Sequence, residues 1–130
     1  MKYIITENRL EKLIYDYIEK LYDVEDIHFT NPYKYDDAGN EYEEPNVIEY
    51  YQGDYEGPYD TKFLFVWIDP DYFDENYIGL KRKCPILEIH EEQGESLNNY
   101  FNDSWHEPFK IWFENNFRLP VKTIRVGITV

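Results

Sequence analysis

The chain has 130 residues and carries 27 acidic against 13 basic side chains, for a formal net charge of −14. Aromatic residues make up 19% of it, which excludes a disordered chain because disordered segments are poor in aromatic side chains. The charge excludes direct binding to nucleic acid or to an anionic membrane surface, since both repel an acidic protein. The length suits a single domain over residues 1–130, and a lone Cys84 excludes an internal disulfide.

The first elements are a short strand and an amphipathic helix. The β-branched run KYIIT (2–6) predicts a strand, and Thr6 is the expected N-cap of a helix over residues 7–22. Apolar residues recur in this helix at helical spacing and share one face. They are Leu10, Leu13, Ile14, Tyr17, Ile18 and Leu21. This periodicity predicts that the whole face packs against the core.

The middle of the chain predicts four strands. They are DIHFT (26–30), NVIEYYQ (46–52), KFLFVWI (62–68) and PILEIH (85–90). Residues 37–40, Asp-Ala-Gly-Asn, separate two tyrosine-containing runs and tolerate the left-handed backbone of a hairpin tip. KFLFVWI is apolar from Phe63 to Ile68, which predicts a central strand that is buried on both faces.

The last third predicts two helices and a strand. An aromatic stripe begins near Ser96 and contains Pro108, which predicts a kinked or split helix with its second part over residues 107–116. VKTIRVGITV then alternates as a half-buried strand does. The resulting order, β-α-β-β-β-β-α-β, predicts a small α+β fold in which the helices cover one face of a mainly antiparallel sheet.

Both ends of the chain resemble small uncharacterised proteins of tailed bacteriophages. The opening, MKYIITENRLEKLI, joins a basic strand to an amphipathic helix, and WFENNFRLPVKTIRV joins an aromatic helix through Leu-Pro to a last strand. The resemblance implies a phage source, a small α+β fold, and a location in the cytoplasm of an infected bacterial host or in the virion. It implies no activity and no functional residue.

Patterns for catalysis or metal binding are sparse. Glu88 and His90 stand at i and i+2 in PILEIH, so they share one face of the predicted strand. A carboxylate and an imidazole are ligands for zinc or iron, but without an HxH or HExxH pattern they make a weak metal candidate. The alternative is a polar strand end that faces solvent. No phosphate-binding loop or nucleophile motif occurs, so we expect neither an enzyme nor a cofactor.

Most of the negative charge lies in one third of the chain. Residues 23–60 carry twelve acidic side chains and one basic side chain, Lys34, which is −11 of the total of −14. Acidic residues interleave with tyrosines throughout residues 35–60, YDDAGNEYEEPNVIEYYQGDYEGPYD. Carboxylates attract a basic partner, and tyrosine rings supply contact area at low entropic cost.

We therefore predict a surface in this stretch that binds a protein partner with a basic surface. The predicted charged residues are Asp36, Asp37, Glu41, Glu43, Glu44, Glu49, Asp54, Glu56 and Asp60. The predicted anchors are Tyr42, Tyr50, Tyr51, Tyr55 and Tyr59, although strand alternation also predicts that some of these rings belong to the core.

Three other interpretations of the same stretch stay open. Dense, ordered carboxylates imitate the phosphates of duplex DNA, so the protein is alternatively a DNA mimic that inhibits a nucleic-acid-binding host or defence protein. It is alternatively a virion or assembly accessory protein that docks on a neighbouring subunit. The third interpretation is that acidic hairpins serve solubility alone, since a net charge far from zero keeps proteins in solution.

Overall fold

The computed structural model of the protein, which describes residues 5–57, 60–70 and 85–127, confirms the predicted α+β fold. Its elements are α1 (Ile5–Leu21), β1 (Ile27–Thr30), β2 (Tyr33–Tyr35), β3 (Glu41–Glu43), β4 (Val47–Gln52), β5 (Phe63–Ile68), β6 (Ile86–Ile89), α2 (Glu91–Phe101), α3 (His106–Phe117) and β7 (Thr123–Val126). No helix in these ranges is long and apolar enough to cross a membrane.

Five strands form one sheet, in the order β1-β4-β5-β6-β7. Neighbours from β1 to β6 are antiparallel, whereas β7 runs parallel to β6. A parallel pair needs a long crossover, and α2 and α3 supply it. β5 lies at the centre, which confirms the prediction from its continuous apolar run. β2 and β3 form a separate two-stranded sheet.

The helices cover one face of the five-stranded sheet, where an aromatic core forms. β5 contributes Phe65 and Trp67 to this core. The buried residues from the helices are Ile14, Ile18, Leu97, Phe109, Trp112 and Phe113. A smaller buried cluster consists of Val47, Val66 and Ile68. Because β5 contributes alternate residues to the two clusters, both of its faces are buried as predicted.

The aromatic C-terminal region is split into two helices, as predicted. α3 accepts Pro108 at its third residue, because the first turn of a helix has no partners for its backbone N–H groups. α2 begins at Glu91, earlier than the aromatic stripe predicts. The reason is local: His90 is its N-cap, and the acidic residues Glu91 and Glu92 favour the positive N-terminal end of the helix.

The predicted opening strand and N-cap are wrong where the structure describes them. α1 begins at Ile5, so Thr6 lies within the helix and not at the position before its start. Residues 2–4 of the predicted strand lie outside the described ranges. The preference of β-branched residues for strands is weak, and helix formation overrides it at these two positions.

The predicted apolar face of α1 is only partly used. Ile14 and Ile18 are fully buried, whereas Leu10, Leu13 and Leu21 are exposed, Leu13 by 61%. The face is wider than the area that the sheet and the other helices cover. Periodicity therefore identified the helix correctly but overestimated its contribution to the core.

We predict that Gly94→Ala lowers the free energy of unfolding by about 1–3 kcal/mol, the usual cost of overpacking. A Cβ atom at Gly94 would lie 2.3 Å from Cγ1 of Val126, so α2 would have to move away from β7. Urea unfolding followed by tryptophan fluorescence measures the change. The control is Asn99→Ala at an exposed position of the same helix.

The same substitution in a Val126→Ala variant tests whether the contact with Val126 causes the loss. Val126→Ala removes the methyl groups that the new Cβ would meet. In that background the nearest contact of the new Cβ is the Cβ of residue 126 at 3.1 Å, so the loss caused by Gly94→Ala should become clearly smaller. The helix preference of alanine over glycine, about 1 kcal/mol, acts in the same direction. An equal loss in both backgrounds would contradict the steric explanation.

Candidate partner-binding surface

The hairpin of β2 and β3 closes around the predicted tip. The backbone N–H of Asp36 donates to the carbonyl of Asn40, and that of Gly39 donates to the carbonyl of Asp36, both at 2.9 Å. Gly39 has a φ of +82°, a left-handed conformation that glycine adopts without strain. The prediction of a hairpin tip at residues 37–40 is thus confirmed.

One predicted binding residue, Asp36, belongs to the turn itself. Its Oδ1 accepts the backbone N–H groups of Ala38 at 3.0 Å and of Asn40 at 2.8 Å. Aspartate often stabilises a turn in this way, by bonding to the backbone shortly after it. Asp36 therefore stabilises the turn through Oδ1, and its side chain remains exposed.

A second predicted binding residue, Glu44, anchors the base of the hairpin. It is only 7% exposed, and its Oε1 accepts the backbone N–H and the side-chain amide of Asn46, each at 3.0 Å. Its own N–H donates to the carbonyl of Pro32 at 2.8 Å. On the other side, the amide of Asn31 donates to the carbonyl of Val47 in β4 at 2.7 Å. These bonds hold the hairpin against the main sheet.

One face of the hairpin presents two tyrosine rings beside two carboxylates. Tyr33 pairs with Glu43 and Tyr35 with Glu41, and residues directly opposite one another share a face. The side chains of Tyr33 and Tyr35 are 52% and 70% exposed, and both glutamates are exposed. We call these four residues the Tyr-Glu face. Lys34 and Tyr42, the remaining register pair, lie on the opposite face.

The Tyr-Glu face is organised by a hydrogen bond. The hydroxyl of Tyr33 donates to Oε1 of Glu43 at 3.2 Å, and this bond, with the charge of Glu43, raises the pKa of Tyr33. Glu41 and the hydroxyl of Tyr55 add to the same shift. The loop after β4 therefore lies within electrostatic range of this face.

That loop, residues 53–57, carries further exposed charge and an exposed ring. Asp54 and Glu56 are exposed, and Tyr55 between them is 44% exposed. The hydroxyl of Thr61 accepts the backbone N–H of Glu56 at 2.8 Å, which fixes the loop in place. The loop thus extends the acidic, tyrosine-bearing surface beyond the hairpin.

The other predicted residues divide between surface and interior. Asp37, Asp60 and Tyr42 are exposed, as predicted. Tyr50 is buried in the core, where burial raises its pKa, so its assignment as an anchor is wrong. Tyr51 is half-buried, and its ring centroid lies 5.6 Å from that of His28. Tyr59 lies outside the described ranges.

Glu49 is also misassigned. It pairs with Thr30 on one side and Val66 on the other, so its side chain lies on the sheet face that carries the smaller apolar cluster. It is half-buried there, and desolvation raises its pKa. A carboxyl group in this position belongs to the sheet and not to the hairpin surface.

Sequence reasoning missed several exposed aromatic residues, among them Phe29, Tyr33 and Tyr35. Phe29 on the edge strand β1 is 66% exposed, and Tyr33 and Tyr35 form half of the Tyr-Glu face. A tip of residues 37–40 would pair residue 36 with 41 and residue 35 with 42, which differs by one residue from the observed register. A shift of one residue moves every side chain to the other face, so the sequence did not show that Tyr33 and Tyr35 share a face with Glu41 and Glu43.

Glu88 and His90 do not form a metal site together. Glu88 is buried and pairs with Arg125 of β7, which corrects the prediction of a solvent-facing strand end. A buried carboxylate is tolerated when a cationic partner compensates it. Nδ1 of His90 accepts the backbone N–H of Glu92 at 3.2 Å, as the N-cap of α2.

In residues 5–57, 60–70 and 85–127, no group of three His, Cys, Asp or Glu side chains is placed to hold a metal ion. No family model, curated protein or solved structure matches the chain. In the described residues, the Tyr-Glu face combines exposed rings with exposed charge.

We predict that Asp36→Ala loosens the hairpin, whereas Asp36→Asn leaves it intact. Alanine removes the oxygen that accepts two backbone N–H groups, and asparagine keeps an oxygen in that place. Amide hydrogen exchange at Gly39 and Glu44 should become about fivefold faster in the alanine variant, for a loss of about 1 kcal/mol. Asp37→Ala, an exposed neighbour, is the control. Equal effects of alanine and asparagine would contradict the turn role.

We predict that Glu49→Gln stabilises the protein at neutral pH and not in acid. Burial raises the pKa of Glu49 above its ordinary 4.5, so the folded state holds the proton more tightly than the unfolded state. The associated stability is present below pH 4.5 and is lost as the pH rises through the raised value. Glutamine removes that loss.

Urea unfolding at pH 7.5 and at a pH below 4.5 measures the difference. Glu41→Gln is the matched control, because it removes the same charge from an exposed site. At neutral pH, Glu49→Gln should raise the free energy of unfolding by more than Glu41→Gln does. In acid, this difference between the two variants should vanish. A gain no larger than that of Glu41→Gln would mean that only the relief of net charge is measured.

Proposed function

We propose that the protein acts by binding a protein partner with a basic surface and that it is not an enzyme. The Tyr-Glu face and the loop 53–57 form the proposed contact surface. The observation that carries this proposal is the register of the hairpin, which sets two exposed tyrosine rings beside two exposed carboxylates. Tyrosine is enriched at protein interfaces because its ring provides area and its hydroxyl tolerates water.

The charge of this region supports a basic partner. Seven of the nine predicted acidic residues are exposed: Asp36, Asp37, Glu41, Glu43, Asp54, Glu56 and Asp60. Their field attracts a cationic surface and repels acidic molecules, nucleic acid among them. Carboxylates at the rim of an interface mainly raise the association rate, whereas the rings supply contact area.

The attachment of the hairpin supports recognition by a fixed surface. Glu44 and Asn31 tie its base to the main sheet, and Asp36 closes its tip. A surface that is ordered before binding loses less conformational entropy when the partner arrives.

We place this binding in the cytoplasm of an infected bacterial host or in the virion, which the resemblance of the chain ends implies. A DNA mimic uses ordered carboxylates without need of rings. Since Glu44 is buried and Glu49 is half-buried, fewer carboxylates are left to imitate a phosphate backbone, which favours docking between proteins over mimicry.

The test compares two charge-matched variants of the full chain. One is the triple change Glu41→Gln, Glu43→Gln and Glu56→Gln on the proposed surface. The other is Glu19→Gln, Glu95→Gln and Glu107→Gln at exposed positions of the helices. Each variant changes the net charge from −14 to −11. We expect a partner captured from bacterial lysate to be lost from the first variant and retained by the second.

Further measurements distinguish docking on a basic protein from the DNA-mimic and virion alternatives. Binding should weaken as salt rises, because exposed charges are screened. Displacement of the partner by duplex DNA would identify a DNA mimic, and presence in purified phage particles would identify a virion component. Identical partners for both variants and the unchanged chain would exclude the acidic surface as the contact.

A further inference from the structure

The Tyr-Glu face has a spacing that selects among basic partners. Its two pairs, Tyr33 with Glu43 and Tyr35 with Glu41, are two residues apart along each strand. Strands rise by about 3.3 Å per residue, so the two pairs repeat at about 7 Å. An extended chain has the same repeat for side chains that point to one side.

Each pair offers both a ring face and a carboxylate to the same group. A guanidinium is planar, donates two parallel hydrogen bonds to a carboxylate, and stacks on an aromatic face. A lysine ammonium is a compact point charge that is strongly hydrated and has no plane to stack. Arginine can therefore stack on the tyrosine ring and pair with the carboxylate of one Tyr-Glu pair, whereas lysine interacts mainly with the carboxylate.

From this geometry we infer that the Tyr-Glu face binds an extended segment of a partner protein with arginines at alternate positions, Arg-x-Arg. This inference rests on the proposed function and names the chemistry of the partner. Charge complementarity supports it, since residues 23–60 carry a net charge of −11 and the rings and carboxylates of the face are exposed. The hydrogen bond from Tyr33 to Glu43 holds one carboxylate beside its ring before the partner binds.

The test measures the affinity of three labelled peptides for the full, unchanged chain by fluorescence anisotropy. The peptides carry Arg-x-Arg, Lys-x-Lys and Arg-x-x-Arg in otherwise identical neutral sequences. We expect Arg-x-Arg to bind about tenfold more tightly than Lys-x-Lys, from two added cation–ring contacts. It should also bind more tightly than Arg-x-x-Arg, whose side chains point to opposite sides of an extended chain.

Variants locate the binding on the face. Tyr35→Leu should remove most of the preference for arginine, whereas Tyr35→Phe should keep it, because phenylalanine retains the ring. Tyr100→Leu is the matched control, since Tyr100 is 69% exposed and Tyr35 is 70% exposed. Retention of the arginine preference in Tyr35→Leu would overturn the assignment to this face.

The outcomes separate this inference from the proposed function. If the arginine and lysine peptides bind equally and Glu41→Gln weakens both, the acidic surface stands and the arginine inference falls. If no peptide binds, the inference also falls, and the capture experiment decides the proposed function separately. Equal binding of Arg-x-Arg and Arg-x-x-Arg would overturn the extended geometry.

Discussion

The ring of Phe65, in the central strand, makes the contacts on which the rest of the fold depends. Six aromatic rings have centroids within 6.0 Å of it: Tyr22, Tyr50, Phe109, Trp112, Phe113 and Phe117. They come from the residue that follows α1, from β4 and from α3, so one side chain joins both layers. Four of the six stand nearly perpendicular to it, an arrangement that stabilises aromatic pairs beyond their buried area.

The hairpin contributes nothing to that core and depends on polar bonds instead. A two-stranded sheet is marginally stable alone, which explains why its tip and base are both closed by carboxylates. Asp36 and Glu44 serve the turn and the anchor, whereas Glu41 and Glu43 face solvent beside the rings. The acidic residues of the hairpin therefore have two roles: some stabilise its turn and its base, and others form the exposed surface.

Residues close in sequence made much of the fold predictable. The tip at residues 37–40 and the helix that accepts Pro108 both depend on neighbours within a few residues. Glu88 could not be placed in this way, because its partner Arg125 is 37 residues away and reaches it through the parallel strand β7. Likewise, periodicity identifies the apolar side of α1 but does not show that Leu13 remains uncovered. For the site, composition located the region, and strand register decided which residues share a face.

The combination of charge and rings bears on specificity as well as on affinity. Exposed rings alone would favour unselective association, but a net charge of −14 keeps copies of this chain apart. A purely apolar partner would have to desolvate Glu41 and Glu43 without replacing their bonds to water, which costs free energy. A purely cationic partner would leave the area of Tyr33 and Tyr35 unused. On the proposed function, the surface would favour partners that satisfy both requirements at the same spacing, a selectivity that solubility alone would not require.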